Sequence, residues 1–280
     1  SQGIQAGSAE ADICGEEYIL SRRKEVKVEN LEQYVGAYEE TFPYSRDNQG
    51  FLRAYSKELV AACQNFGRDI DICSLGIGCE VVSRSIATHV ADKIKSHTIV
   101  EGSSIIIERY KQNTTLPHNC NLIHDYFESF SPDHLFDVVE MGFVLEHVED
   151  PELIVNRFSR FLKPEGVICA AVPNALSMHR VLGTRAGLLK DLFALSEWDL
   201  QLGHKRYFDR QSFLDLFKRL GLEVTKEAGL MLKPFSTAQL NMLNLPDAVW
   251  DVLFDSGDLS PHYAHSLYAE VRVPSHNKPA

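Results

Sequence analysis

The stretch Asp71-Ile-Cys-Ser-Leu-Gly-Ile-Gly-Cys-Glu80 constrains this chain more than any other. Ile70, Ile72 and Leu75 lead into Gly76 and Gly78, and an amphipathic run follows from Val81. That order predicts strand, tight turn, helix. Glycine lets the backbone take positive φ and lets a ligand come close to it. The helix start beyond offers unpaired N–H groups to a polar or anionic group. An ordinary βα turn with two glycines looks the same, so the rest of the chain has to decide between a turn and a site.

Alternation continues downstream. Strands are expected at 70–75 (β1), 98–101 (β2), 122–125 (β3), 136–142 (β4) and 167–172 (β5), with helices at 79–93, 103–111 and 151–162 and a turn at 163–166. β4 is short and nearly all apolar, as a strand covered on both faces should be. Pro151 falls in the first turn of its helix, where a missing N–H does no harm. After β5 come a mostly helical insertion over 175–196 and a helix over 209–220, opened by Asp209 and closed by Gly221. Two further strands follow at 222–232 (β6) and 267–273 (β7), and 240–254 between them reads as helix broken at Pro246. The pattern predicts an α/β fold, a doubly wound, mostly parallel, seven-stranded sheet with right-handed crossovers.

Ahead of the sheet, 1–27 reads as a flexible arm. Residues 28–66 carry two helical stripes, one through Leu31, Tyr34, Val35 and Tyr38, the other through Leu52, Tyr55, Leu59, Val60 and Cys63, joined by a polar and aromatic connector over 41–50. Helices so placed suit a lid, which makes Tyr38, Phe42, Tyr44 and Arg46 candidate acceptor-pocket residues. The plainer reading packs these aromatics between the two helices. The main domain is expected over 67–280, with acceptor-pocket insertions at 174–208 and 233–264.

Charge narrows the partners. A formal net charge of −11, with Arg22-Arg-Lys24 as the only tight basic cluster, argues against a nucleic-acid surface. No apolar run approaches the roughly 18 residues that a membrane span needs. The first residues lack the basic segment and apolar core of a secretory leader. The six cysteines form no CxxC pair, and Cys73, Cys120 and Cys169 sit in or beside apolar stretches as small core residues. A reduced, cytoplasmic protein is the expectation.

Ligands of an open parallel sheet bind beyond the carboxyl ends of its strands, near the point where strand order reverses. Gly76 and Gly78 follow β1. Glu101 ends β2, about 23 residues beyond the glycines, where an acid can accept both ribose hydroxyls. Asp125 ends β3 and is followed by Tyr126 and Phe127, an acceptor with aromatic surface suited to an adenine amine and its ring. Met141-Gly-Phe143 follows β4. A single acid at a strand end is commonly a solvated turn carboxylate, whereas sites in register on successive strands describe an adenosine pocket. A nicotinamide cofactor would want a third glycine where Val81 stands, and Glu80 would place a negative charge beside its diphosphate. A phosphate-free sulfonium tolerates Glu80, which favours S-adenosylmethionine.

With these residues in place the sequence resembles the class I S-adenosylmethionine-dependent methyltransferases, and within them the small-molecule, ubiquinone-pathway O-methyltransferase-like group. Leu75-Gly-Ile-Gly78, Val100-Glu-Gly-Ser103, His124-Asp-Tyr126 and the run from Phe136 to Pro151 are similar to their four successive motifs. Leu162-Lys-Pro-Glu-Gly166 and Gly203-His-Lys-Arg-Tyr-Phe208 are also typical, and the likeness covers Ile70 to Val273. The resemblance implies a Rossmann-like methyltransferase fold and S-adenosylmethionine as cofactor. It implies Gly76 and Gly78 at the methionine moiety, Glu101 with Gly102 and Ser103 at the ribose, and Asp125 with Tyr126 at the adenine. The backbone at Met141, with His147, completes the pocket. Two departures stand out: Ser74 replaces the acid usual two residues before the first glycine, and Glu80 replaces the usual third glycine. Phe143 stands where the ubiquinone-pathway enzymes carry a metal-binding Glu, leaving Glu146 and His147, so no metal is expected.

Methyl transfer is an in-line displacement, so such a protein mainly holds acceptor and methyl aligned and dry. A hydroxyl acceptor gains from a base that works near neutral pH, which suits histidine. His204, between β5 and β6, is the first candidate and His179 the second; a hydrogen-bonded loop role is the plainer reading of either. Asn174, Arg180, Arg185 and Arg206 border the same region, and the arginines suit an anionic acceptor. The expected function is methyl transfer to an oxygen of a small metabolite such as a sugar, a glycan precursor or a natural product. The alternatives are N-methylation of a small amine, which would favour carboxylates near the methyl, and a non-catalytic S-adenosylmethionine-binding scaffold. A homodimer exchanging its N-terminal helices is compatible with the chain.

Overall fold

The computed structural model describes residues 30–38 and 45–274. The expected arm, Phe42 and Tyr44 lie outside the described residues, as does the side chain of Tyr38. Residues Glu32–Ala280 form one compact unit; the other, Ser1–Leu31, contributes only Asn30 and Leu31 to the described residues.

The described residues form a seven-stranded sheet of order β3-β2-β1-β4-β5-β7-β6. Its strands are β1 (Ile70–Leu75), β2 (Ile94–Glu101), β3 (Cys120–His124), β4 (Phe136–Gly142), β5 (Leu162–Pro173), β6 (Glu223–Leu230) and β7 (Ser266–Arg272). The first five pair in parallel and β7 runs antiparallel to both neighbours. Strand order reverses between β1 and β4, so the carboxyl ends of those two strands open the crevice where such a sheet takes its ligand. The α/β class and the mostly parallel sheet agree with the sequence.

The helices are α1 (Ser45–Gln64), α2 (Val81–His89), α3 (Ser104–Asn113), α4 (Pro151–Ser159), α5 (Met178–Arg185), α6 (Glu197–Gln201), α7 (Arg210–Arg219), α8 (Thr237–Met242) and α9 (Asp247–Asp255). Two apolar layers sandwich the sheet. On one face Ile70, Ile72 and Val138 pack against Tyr55, Leu59 and Cys63 of α1 and Ile86 of α2. On the other, Cys73, Leu75, Val139 and Met141 pack against Ile154 and Phe158 of α4 and Phe213 and Phe217 of α7. The alternation along β1 and β4 assigns successive residues to opposite layers.

Several boundaries differ from the sequence expectation, each for a local reason. The connector ends earlier, because Ser45 to Gly50 already belong to α1, where buried Asp47 bonds Lys233 and Thr237. Leu31–Tyr38 is a 3-10 helix instead of an α-helix. The expected helix over 79–93 stops at His89, followed by a 3-10 turn at Ala91–Lys93. The turn over 163–166 lies inside β5 as an irregularity: Phe136 faces Leu162, pairing resumes at Val138 and Val167, and Glu165 takes φ 68°. The insertion over 175–196 is helical only through α5, which ends at Arg185; the chain turns away at Gly187 (φ 74°), and Leu188 and Leu189 donate back to the Gly183 carbonyl. The break at Pro246 falls between α8 and α9 as expected.

At the far, amino ends of β1 and β4, Lys163 Nζ lies 2.5 Å from Asp71 and 2.7 Å from Asp137, and Arg68 lies 2.6 Å from Asp137. Burial alone would raise both carboxyls, yet hydrogen bonds from Lys163, with Ser96 at Asp71 and Arg68 at Asp137, hold both below the usual range. This network anchors the opposite end of the sheet from the crevice.

Candidate active site

The crevice is built from consecutive strand ends. Gly76 takes φ 86° and donates its N–H to the Val100 carbonyl at 2.8 Å, and Gly78 takes φ 54°. A Cβ placed on Gly76 would meet only Glu101 Oε2, at 3.9 Å, so the space above the glycine turn is open. Glu101 is buried and holds the two neighbouring loops together: Oε2 accepts from Ile77 N–H at 3.0 Å and Oε1 from Ser103 N–H at 2.8 Å. Burial raises its carboxyl, with those amides opposing. Each oxygen keeps a second lone pair for a ligand hydroxyl. Asp125 is tied to the same strand end by its N–H to the Glu101 carbonyl, and its Oδ1 accepts from Tyr126 N–H and Ser129. Gly102 and Tyr126 are half-buried, and Ser103 caps α3 by accepting from Ile106 N–H. The open turn, the half-buried Asp125–Tyr126 pair and the fixed Glu101 carboxylate fit an adenosine-bearing ligand.

Glu80, at the usual third-glycine position, takes φ 65°, a left-handed conformation that explains why glycine suits that place. Its carboxylate turns along α2 to Arg84 at 2.6 Å. Below the crevice, Ser74 and Glu140 face each other across β1 and β4. Glu140 Oε1 accepts from Gly142 N–H at 2.8 Å and from Tyr55 Oη at 2.9 Å, and Ser74 hydrogen-bonds the same carboxyl. His97 Nε2 lies 2.9 Å from Ser74 Oγ. Gly142 has to be glycine, because a Cβ there would meet the Tyr55 ring at 2.4 Å.

A second cluster forms beyond β4. Glu146, His147 and His204 each offer one ligand atom, all within 4.8 Å of one another, and the two imidazole rings stand edge to face at 4.7 Å. Glu146 Oε2 is buried without a hydrogen-bond partner, and burial pushes its carboxyl up to about 7 against the pull of His204. Burial and His204 push the His147 imidazole well down. His204 Nδ1 lies 3.4 Å from Asp199 Oδ1, and Asp199 also accepts from Tyr207 Oη at 3.0 Å. Buried Asp199 is nonetheless held well below the carboxylate range by His204 and Ser196. Phe143 supplies no ligand where a metal-binding Glu would stand, but His204 brings a third potential ligand from another loop. These three residues could hold a divalent ion as well as move a proton.

His179 stands in a separate group. Its ring stacks on His265 at 5.9 Å, His265 stacks on Phe51 at 5.1 Å, and Phe51 meets Phe143 at 4.5 Å. His179 Nδ1 is buried without a partner, and burial with Lys233 and His265 nearby pushes the imidazole well down. Burial, then Lys233, pushes His265 down to about 3. A histidine held neutral accepts a proton only weakly, which counts against His179 as a base.

Four candidate substrate contacts are engaged by the chain itself. Asn174 donates to the carbonyls of His262 and Ala264 and accepts from Leu176 N–H. Arg180 donates to the carbonyls of Leu192 and Ala194 and lies 4.0 Å over the Tyr207 ring. Arg206 donates to the carbonyls of Leu145, Val148 and Glu149. Arg46 pairs with Asp247 and lies 4.5 Å over Trp250, tying α1 to α9. Met141 buries its side chain in the core, and the His147 ring stands against that of His204. Sequence reasoning missed Asp199, Glu140, His265 and Glu32, whose carboxylate accepts from Ser103 Oγ at 2.7 Å and Ser104 N–H at 3.0 Å. An acid inside the apolar run of β4 was the available signal for Glu140.

A family model described as a methyltransferase domain matches residues 44–227. The chain belongs to the methyltransferase-domain family. With the fold above, it is a class I S-adenosylmethionine-dependent methyltransferase, and S-adenosylmethionine is its cofactor. It is 25% identical over 191 residues to a ubiquinone biosynthesis O-methyltransferase of Nitrobacter winogradskyi, covering 62% of this chain and 68% of that protein. A protein of the same description from Rhodopseudomonas palustris is 24% identical over 195 residues, covering 63% and 71%. Among solved structures, the N-methyltransferase NodS of Bradyrhizobium japonicum in complex with S-adenosyl-L-homocysteine is similar at TM-score 0.56 and 14% identity, covering 87% of this chain and 98% of that one. The plantazolicin methyltransferase BpumL is similar at TM-score 0.54 and 16% identity, covering 91% and 92%. These two likenesses concern the fold. No described helix is long and apolar enough to cross a membrane.

Proposed function

We propose that this methyltransferase acts on an oxygen of a small metabolite, such as a sugar, a glycan precursor or a natural product, and that His204 is its general base. The observation that carries the reading is the Asp199–His204 pair: a buried carboxylate stands 3.4 Å from Nδ1, within ion-pair range, where it favours the ring once that ring has taken a proton. When bound, S-adenosylmethionine supplies an electrophilic methyl carbon. Gly76 and Gly78 let it approach the chain, Glu101 with Gly102 and Ser103 takes the ribose, Asp125 and Tyr126 take the adenine, and the backbone at Met141 closes the pocket. His204 takes the proton from the acceptor hydroxyl, and Asp199 stabilises the imidazolium that results. Arg180, Arg206 and Asn174 act by fixing the loops around the acceptor. The match to proteins named as ubiquinone biosynthesis O-methyltransferases supports an oxygen acceptor.

N-methylation is the second reading, favoured by Glu146, whose unpartnered buried Oε2 is the kind of carboxylate an amine would seek. A screen of hydroxyl and amine acceptors with methyl-labelled donor separates the two. Label on oxygen, lost in His204→Ala, is the expected result; label on nitrogen alone refutes the oxygen reading. Isothermal titration with S-adenosylmethionine addresses a bare scaffold, which would bind the donor without turnover of any acceptor.

A further inference from the structure

Glu140 is a fully buried carboxylate with no cationic side chain in ion-pair range among the described residues. It is held by neutral donors only: the N–H of Gly142, the hydroxyl of Tyr55 and Ser74. A buried carboxylate so placed is incomplete, since desolvation of an anion is offset well only by a charge of opposite sign. Its bond to the amide two residues on bends the carboxylate toward the carboxyl end of β4, beneath the half-buried Gly142 and beside the β1 end that leads to Gly76. That floor is where the crevice opens, and the cofactor brings an α-ammonium as well as a sulfonium. We infer that Glu140 supplies the carboxylate that receives the α-ammonium of bound S-adenosylmethionine, carrying on β4 the negative charge that Ser74 does not supply on β1.

The one-to-one pairing of Ser74 with Glu140 is what makes the exchange geometrically sound, since side chains of directly paired residues on one face of the sheet are neighbours. Tyr55 and Gly142 are the supporting parts: the hydroxyl fixes one carboxylate oxygen, and the missing Cβ leaves room for the Tyr55 ring. The inference rests on the donor lying in this crevice. Glu140 is a binding residue here, with no part in the proton transfer.

The test measures affinity for S-adenosylhomocysteine and for its des-amino analogue in the wild-type chain, in Glu140→Gln and in the double variant Ser74→Asp/Glu140→Gln. In the wild type, loss of the amine should weaken binding about 10- to 100-fold, as a charge-assisted hydrogen bond requires. Glu140→Gln should lose that preference, binding S-adenosylhomocysteine more weakly and the analogue as before; the double variant should regain it. Glu140→Ser provides the same comparison if the glutamine variant does not fold. An unchanged preference for the amine in the single variant, or an equal loss for both ligands, overturns the inference alone. Failure of the wild-type chain to bind S-adenosylhomocysteine overturns the donor site and this inference together.

Discussion

Glu140→Gln should reshape the pH dependence of stability in the ligand-free protein. Burial pushes the folded-state Glu140 carboxyl from an ordinary 4.5 up to about 7, against the hydrogen bonds of Gly142, Tyr55 and Ser74. Between those two values the folded chain still binds a proton that the unfolded chain has released. The group's contribution is therefore fully present below pH 4.5 and is lost as pH rises through 7. At about 1.4 kcal/mol per pH unit the loss is about 3 kcal/mol. The histidines His97, His147, His179 and His265 act in the opposite direction: their lowered values make stability rise with pH up to about 6.5. The wild-type curve is a sum of both effects, and only the difference between the two proteins isolates Glu140. Urea unfolding at pH 5, 6, 7 and 8 should show the glutamine protein gaining on the wild type by about 3 kcal/mol across the series, mostly between pH 5 and 7. Curves parallel within about 0.5 kcal/mol would refute the argument that this carboxyl lacks a charged partner.

Glu101→Ala should weaken donor binding by about 1–3 kcal/mol, because it leaves the Ile77 and Ser103 amides unpaired as well as removing the ribose acceptor; titration with S-adenosylhomocysteine checks it. His204→Ala should lower turnover by about 10²- to 10⁴-fold with donor affinity kept, and Asp199→Asn should lower it with a displaced pH profile; equal turnover in the alanine protein rejects the base. Chelation of divalent ions should leave wild-type turnover unchanged, and restoration by added metal after chelation would instead assign Glu146, His147 and His204 to an ion. Gly142→Ala should destabilise the fold by about 1–3 kcal/mol through overlap with the Tyr55 ring, read as a drop in thermal midpoint.

The alternation of apolar runs and helical stripes was enough to place every strand, since period and turn residues are local properties of the chain. The glycine turn, the acid that ends β2 and the acid just beyond β3 were legible for the same reason: their position about a strand end is written in sequence order. What sequence could not supply was pairing. Asp199 reaches His204 only because the chain turns back on itself between α6 and α7, and Glu140 meets Ser74 only through the β1–β4 register. Arg180 and Arg206 looked like free cations for an anionic acceptor. Irregular loops, however, leave carbonyls without partners, and these two guanidiniums supply the missing donors. Asp47 and Asn48 read as connector, yet a buried bond to Lys233 draws them into α1.

Tyr55 belongs to the second of the helices that the sequence suggested as a cover, and its hydroxyl reaches both Glu140 and the Cys169 carbonyl at 3.0 Å. Trimming the chain back to the glycine turn would therefore pull a bolt from beneath the sheet crevice instead of lifting a flap above it. Any minimal version of this protein has to begin ahead of Ser45, because the helix that starts there carries the hydroxyl that fixes Glu140.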